Sequence, residues 1–546
     1  MIRKTNNIEK KDAFTRFLEI IPGFLAWSIL LIPFIAAPYF PVAVAYFILS
    51  FNFLWFMKAA NIMRHMISGF RQMWRNMKIN WLESCQEISN YPDAYLKKLE
   101  SRYLETKNSL DLRDFQEVSN LSHNWTVIKK WDDIYHAVFV TNCFEDFEVT
   151  EAAYKALFDC NYPRKKLIVV SCGEKRDEVG FLKVKAEIEK RYNSTFLDLK
   201  FYVHEDMPGD VIGKGPNLYS AGHKFWDYLQ KEHPEIEPDN VLVTTLDADH
   251  VVHKEYFSRI TYKYIVDPNR DHKTYQPIPL LFNNIWDAPS PSRVLAVASS
   301  FWQIIESMRP YRMRTFASHT QSLQTLLVTD FWSSKTIVED GHQYWRTYFA
   351  YNGDHEMVPV LIPVYHDTVV ADSFWETLVN QYKQRRRWAW GISDFPYIVK
   401  KFTKHPEISF GQKFLQTYRH LAGSVSWSTS SFLLAFAWIP LLFNSQFQDN
   451  VLAQNVPSYS SVMLNLAWVA VFANVWIYFL LLPPMPERYK KTRFIRYFSM
   501  IFQWVIAPFV SIFFSSLPAL DSQTRLMFGQ SLNVFWVTPK GKKKFK

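Results

Sequence analysis

Apolar residues gather in blocks toward both ends of the chain, and a long mixed stretch separates them. Residues 1–16 are mostly polar, and Phe17 to Phe56 is then almost wholly apolar, about 40 residues, twice what one membrane-crossing helix needs. The Ala37-Pro38-Tyr39 break divides this block, so residues 1–58 are predicted to form a transmembrane hairpin. The block starts too late and runs too long to be the apolar core of a cleavable signal peptide. Residues 59–125 are polar with scattered aromatic and aliphatic positions, the pattern of an amphipathic helical connector. Short apolar runs then alternate with helix-like stretches: Ala137–Thr141, Lys166–Val170 and Val241–Leu246. That alternation predicts an α/β domain with a mostly parallel sheet over residues 126–395. Ligands bind such sheets at the carboxyl ends of their strands.

The pattern turns apolar again in residues 396–518, read as interfacial helices followed by transmembrane segments. Leu421–Phe443 and Ser461–Leu482 are predicted spans, and the loop between them carries no Lys or Arg. Phe494–Leu517 is apolar with Pro508 near its middle, and residues 519–546 form a basic tail ending in Lys540-Gly-Lys-Lys-Lys-Phe-Lys546. Lys58, Arg64, Arg71, Arg75 and Lys78 follow the first hairpin, which puts the central domain and the tail on the cytosolic side, most simply at a bacterial inner membrane. Five full crossings would put the tail outside, so either the last segment is a re-entrant hairpin broken at Pro508 and packed in protein at that depth, which is the expectation, or the tail crosses against the charge rule. The net charge of +10 falls largely beside the apolar blocks, which points to membrane lipids and away from nucleic acid. Aromatics at 17% suit both membrane interfaces and stacking on sugar rings, and do not separate the two. Cys85, Cys143, Cys160 and Cys172 have no metal-ligand spacing and are expected as reduced thiols.

Five short motifs lie in order along the central stretch. Asp247-Ala-Asp249 follows the strand Val241–Leu246; residues i and i+2 of an extended segment point the same way. Two carboxylates so placed can hold Mg²⁺ or Mn²⁺, with His250 as a further ligand. Glu339-Asp340 follows the short apolar stretch Lys335–Val338, read as a strand, and a carboxylate at a strand's end suits general-base work; a helix cap is the plainer reading. Gln384-Arg-Arg-Arg387-Trp388 sits on a predicted helix, where arginine can clamp a diphosphate and indole can stack on a sugar; a lipid-binding basic cluster is the alternative. Lys214, in Gly213-Lys-Gly-Pro-Asn217, is placed in a loop before a helix and within reach of phosphate. Thr141-Asn-Cys-Phe-Glu145 closes the first strand.

Taken together these motifs resemble family 2 glycosyltransferases, in the branch of cellulose, chitin and hyaluronan synthases, over roughly residues 135 to 395. The resemblance implies a single GT-A (Rossmann-like) domain inserted between transmembrane α-helices. It implies inverting, metal-dependent transfer of a hexose from a nucleotide-sugar, a UDP-sugar first, to a growing polysaccharide, processively and with export through the enzyme's own spans; the alternative is non-processive transfer of a single sugar to a lipid carrier or membrane glycolipid, a lipid-linked acceptor. Thr141 and Glu145 would meet the nucleoside, Asp247 and Asp249 the metal and diphosphate, and Lys214 the donor. Asp340, beside Glu339, would be the base, and Gln384, Arg387 and Trp388 would lie at the pyrophosphate and acceptor. Trp536-Val-Thr-Pro-Lys-Gly541 is similar to a segment after the last spans of such enzymes. Two stretches depart from the pattern. Ser171-Cys172-Gly173-Glu174 stands where the family carries Asp-Asp-Gly, leaving Glu174 or Asp177 to meet the base, or another base to be read. Phe316-Ala-Ser-His-Thr320 lacks the family's small Gly-containing motif, so a different acceptor pocket is expected. The sequence specifies no accessory subunit.

Overall fold

The computed structural model describes residues 12–444 and 474–532, with positions 452, 455, 458 and 462 between them. The chain divides into two compact units: residues 1–61, 378–473 and 501–536 form one, and residues 62–377, 474–500 and 537–546 the other.

The second unit holds the sheet. Its strands are β1 (Tyr135–Thr141), β2 (Leu167–Glu174), β3 (Asp198–His204), β4 (Val241–Asp247), β5 (Val251–Val252), β6 (Lys273–Leu280), β7 (Thr320–Ser322) and β8 (Glu356–Tyr365). Their order is β3-β2-β1-β4-β7-β6-β8-β5. The first four pair in parallel, β7 runs antiparallel to both neighbours, and β6 and β8 are again parallel, so the sheet is mixed. β1, β2 and β4 read as continuous apolar runs because helices cover both faces. Alternation along β1 shows it: Val138 and Val140 enter one core with Leu242 and Leu246, while Ala137 and Phe139 enter another with Val243 and Phe225. The order steps outward in opposite directions from β1 and β4, the arrangement that opens a crevice at their carboxyl ends.

Residues 81–119 form the three short helices Trp81–Asn90, Pro92–Thr106 and Ser109–Ser119. The stretch before them differs from expectation. The second apolar helix runs on from Pro41 to Asn76 with no break near residue 58. No proline interrupts it, and its one late glycine, Gly69, sits where a Cβ would lie 2.7 Å from Ile304 Cγ2, so close packing holds the helix through that point. The loop after β6 also grips the segment 483–499. Buried Asp287 accepts two hydrogen bonds from Arg488 at 2.7 Å and one from the Tyr489 hydroxyl at 2.5 Å. Trp286 Nε1 donates to the Pro483 carbonyl at 3.0 Å, and Arg496 donates to the Trp286 carbonyl at 2.8 Å.

The other unit is helical. Among the described residues four helices are long and apolar enough to cross a membrane: Ala13–Ala36, Pro41–Asn76, Phe410–Leu442 and Glu487–Met527. Small and hydroxyl residues join the first, third and last of these, as packing inside lipid favours. A Cβ on Gly23 would lie 2.8 Å from the Gln523 carbonyl, so only glycine allows that approach. Gln523 bonds Ser428 Oγ at 3.1 Å, Trp427 Nε1 donates to Ser515 Oγ at 2.9 Å, and Ser431 meets Ser511 at 2.7 Å. The hairpin expected at Pro508 is replaced by unbroken helical turns from Glu487 to Met527, with a 3₁₀ turn at Gln503–Ile506 and a π turn at Ile512–Ser516. Pro508 lies in the first turn of Ala507–Ser511, where its missing N–H costs nothing. Most of the predicted span Ser461–Leu482, the segment Trp536–Gly541 and the basic end of the tail lie outside the described residues.

The Asp287 grip yields a prediction. Asp287→Ala should lower stability by about 1–3 kcal/mol, because it strands the Arg488 guanidinium and the Tyr489 hydroxyl. Limited proteolysis should then cut residues 483–499 faster than in the parent; equal cutting rates would show that the grip holds nothing.

Candidate active site

Register sets the site. Thr141 at the end of β1 is level with Cys172 on β2 and with Asp247 on β4. Thr141 Oγ1 lies 3.4 Å from Asp247 Oδ1. Beyond Asp247 the chain turns at once, and the His250 N–H closes the turn on the Asp247 carbonyl at 3.0 Å. The turn gathers Asp247, Asp249 and His250, whose ligand atoms all lie within 4.8 Å of one another. His250 Nδ1 accepts the Asp247 N–H at 2.9 Å, which leaves Nε2 facing Asp247 Oδ2 at 3.4 Å and Asp249 Oδ1 at 4.0 Å. Buried Asp249 accepts the Asp367 N–H at 2.9 Å on Oδ2. Two carboxylates and an imidazole in this spacing form a donor set for a hard divalent cation.

A second histidine stands beside them that sequence reasoning missed. The His366 ring stacks on His250 with centroids 3.6 Å apart. Ser318 Oγ bridges the pair, 3.0 Å from His250 Nδ1 and 3.3 Å from His366 Nε2. Ser318 holds φ at +73°, a left-handed conformation rare for serine and the kind of local strain that clusters at functional sites. His366 follows β8, more than a hundred residues after His250, so no local motif marks it. The departure noted at Phe316–Thr320 is therefore used here to fix two histidines.

Lys214 opens the helix Lys214–Glu232 and is buried, rather than lying in a loop before it. Its Nζ donates to Asp247 Oδ1 at 2.5 Å. Burial alone would weaken its hold on a proton, but the fields of Asp247, Glu339 and Asp340 outweigh burial and raise its pKa above the usual lysine value. Gly215 makes this contact possible: a Cβ there would lie 2.5 Å from the Ser333 carbonyl and 3.2 Å from Glu339 Cβ.

Glu339 and Asp340 do not end a strand. Residues 333–338 form turns, strapped by the Val211 N–H to the Ser334 carbonyl at 3.0 Å. The two acids occupy the first turn of the helix Glu339–Ala350, where the helix dipole favours negative charge. Neither is the N-cap residue, which is Val338. Asp340 Oδ1 accepts the Gly341 N–H at 2.7 Å, and Thr315 Oγ1 donates to the Asp340 carbonyl at 2.5 Å.

At the β1–β2 edge, Glu145 Oε2 accepts the Cys143 N–H at 2.7 Å. Phe144 is exposed at φ +71°, its N–H donating to Asp177 Oδ2 at 2.6 Å. Glu174 pairs with Arg176 at 2.7 Å, so both substitute acids named from the sequence sit at this edge. The four cysteines are free, as expected.

Gln384, Arg387 and Trp388 lie on the predicted helix, Phe374–Ala389, in the helical unit. Arg386 pairs with Asp521 at 3.0 Å, and Gln384 Oε1 accepts from Gln381 Nε2 at 3.3 Å.

Residues 242–486 match the family model for glycosyl transferase family group 2. The chain carries a family 2 glycosyltransferase domain. Comparison with curated protein sequences finds no match. Among solved structures, the domain's α/β architecture is similar to that of the mannosyltransferase PcManGT from Pyrobaculum calidifontis in complex with GDP-Man and Mn²⁺, at 14% identity and TM-score 0.35, covering 76% of this chain and 99% of that one. It is similar to S. aureus TarS 1–349 in complex with UDP-GlcNAc, at 11% identity and TM-score 0.30, covering 73% and 93%. GalNAc-T7 with UDP, GalNAc and Mn²⁺ matches at 10% identity and TM-score 0.32, covering 54% and 57%. The glycosyltransferase assignment rests on the family model.

Lys214→Met removes the buried cation facing Asp247 and Glu339. It should cost about 3 kcal/mol in the thermal unfolding of the detergent-purified chain, the order expected when one partner of a buried charge pair is removed. An unchanged melting temperature would remove Lys214 from that role.

Proposed function

We propose that this glycosyltransferase moves a hexose from a nucleotide-diphosphate-sugar to a growing polysaccharide at a membrane, with inversion at the anomeric carbon. The observation that carries the reading is the Asp247–Asp249–His250 cluster at the carboxyl end of β4, with Lys214 held among Asp247, Glu339 and Asp340. Asp247 and Asp249, with His250 beside them, would hold Mg²⁺ or Mn²⁺. A divalent cation bound there supplies positive charge to the diphosphate leaving group. Lys214 adds a second positive charge on the same side, at a point the carboxylates already fix. Thr141 and Glu145 line the nucleoside end of the crevice, and Glu174 or Asp177 meets the base.

Asp340 is assigned as the general base, with Glu339 beside it. Its carboxylate takes the proton of the acceptor hydroxyl as that oxygen attacks the anomeric carbon from the side opposite the leaving diphosphate. One displacement inverts the centre and forms no covalent sugar–enzyme bond. Gln384, Arg387 and Trp388 are assigned to the pyrophosphate and the acceptor sugar. The four long apolar helices support a membrane location for product export, with the catalytic domain in the cytosol of a bacterial cell.

Two substitutions test the roles separately. Asp340→Asn should keep nucleotide affinity and lower turnover at least ~10²-fold, the loss expected for a general base. Near-parental turnover would remove Asp340 from that role. Asp249→Ala should abolish the metal-dependent part of nucleotide binding, and EDTA should do the same to the parent. Nucleotide affinity that is indifferent to EDTA would overturn the metal assignment.

A further inference from the structure

Asp340 and Tyr344 stand four residues apart near the start of the helix Glu339–Ala350, so a regular helix would join the Asp340 carbonyl to the Tyr344 N–H directly. A side chain from another segment enters at that point. The hydroxyl of Thr315, which is wholly buried, accepts the Tyr344 N–H at 3.1 Å and donates to the Asp340 carbonyl at 2.5 Å. This bridge is not a helix cap. The N–H groups that a helix start leaves unpaired are the first four, and Tyr344 lies beyond them. The ladder has already begun at His342, whose N–H meets the Val338 carbonyl at 3.0 Å. A side chain placed in the ladder bends the turn it enters, and β-branched threonine has few rotamers with which to give way.

Thr315 also begins a strap. Gln276, buried on β6, holds the middle of it: Oε1 accepts the Phe316 N–H at 2.9 Å, and Nε2 donates to the Ala317 carbonyl at 3.3 Å. At its far end is Ser318, whose hydroxyl meets His250 and His366 and whose carbonyl accepts the Tyr256 hydroxyl at 2.8 Å. Four residues therefore tie the turn that carries Asp340 to the Asp247–Asp249–His250 set. A chain this short holds the Cα atoms of Thr315 and Ser318 at most about 11 Å apart. We propose that Thr315 is a positioning residue for Asp340: its hydroxyl sets the turn, and through the strap the distance, at which that carboxylate works from the Asp247–Asp249–His250 set. The role rests on the reading of Asp340 as the general base, and Thr315 acts only through it.

The test compares the detergent-purified full chain as parent, Thr315→Val, Thr315→Ser, Asp340→Asn and the Thr315→Val/Asp340→Asn pair, each with the sugar-nucleotide that the parent consumes. Valine keeps the shape of threonine and removes its hydroxyl. Thr315→Val should lower kcat about 10-fold or more, the scale of a misplaced reacting group, with KM for the donor within about twofold of the parent's. Thr315→Ser keeps the hydroxyl and should recover most of kcat. In the Asp340→Asn background Thr315→Val should cost nothing further, because the group it positions is already gone. The same loss in both backgrounds would overturn the proposal, since Thr315 would then act by a route that bypasses Asp340. Parental kcat in Thr315→Val, with Asp340→Asn crippled, would overturn it too and leave the base assignment standing. Near-parental kcat in Asp340→Asn would overturn the base assignment itself, and the role of Thr315 with it. Should Thr315→Val not accumulate as folded protein, Thr315→Ala removes the same hydroxyl without added bulk and is read by the same comparisons.

Discussion

Carboxylates crowded at one edge of a sheet repel one another, and this edge gathers several. Asp247 ends β4, Asp249 lies in the turn after it, and Glu339 and Asp340 come from the start of a helix nearly a hundred residues later. Lys214 is the buried cation that lies in the fields of Asp247, Glu339 and Asp340. Because Nζ meets Asp247 directly, the start of its helix must approach Glu339 closely, and Gly215 supplies the room. Remove that cation and the remaining acids must either take up protons or move apart. The same arrangement suits a site that gains a divalent ion and a diphosphate together, since added positive and negative charge then arrive in near balance.

Around that centre the backbone is fixed by contacts of long sequence separation. Asp367 N–H holds Asp249, Ser318 holds His250 and His366, and Thr315 holds the Asp340 carbonyl. Each is one ordinary hydrogen bond, worth about 1 kcal/mol. Their effect is geometric: groups from four separate chain segments keep their places relative to the mixed sheet. The helical unit uses other means. Serine, threonine and glutamine side chains bond between helices, and Gly23 lets two backbones meet, as suits helices that gain nothing from hiding apolar surface from lipid.

Much of this was legible in the chain. β1, β2 and β4 are short apolar runs bounded by polar residues, and their covered faces make them continuous. Asp247 and Asp249 were legible because a strand and a turn are local. Two apolar helices parted near Ala37–Tyr39 were legible because the length of the block and that break decide them. His366 was hidden because its partner is a stacked ring reached only through the fold of β8 against β5 and β6. Glu339 was misplaced onto a strand because Lys335–Val338 has the right residues; the strap to Val211 turns that segment instead. The length of the helix Pro41–Asn76 is not legible for a related reason, since a change from apolar to charged residues beyond residue 58 need not end a helix. Pro508 misled because a proline in the first turn of a helix breaks nothing.

The most direct measurement is sugar-nucleotide turnover by the detergent-purified full chain with Mg²⁺ or Mn²⁺, across UDP-, GDP- and dTDP-sugars, with the product sized on a gel. The account predicts consumption of one donor class and a long, glycosidase-sensitive product that disappears when EDTA is added. A single-sugar lipid product, formed only with added lipid carrier, would keep the donor site and reassign the acceptor. Absence of turnover with every donor, from folded protein and with metal and acceptor supplied, would contradict the account at its centre.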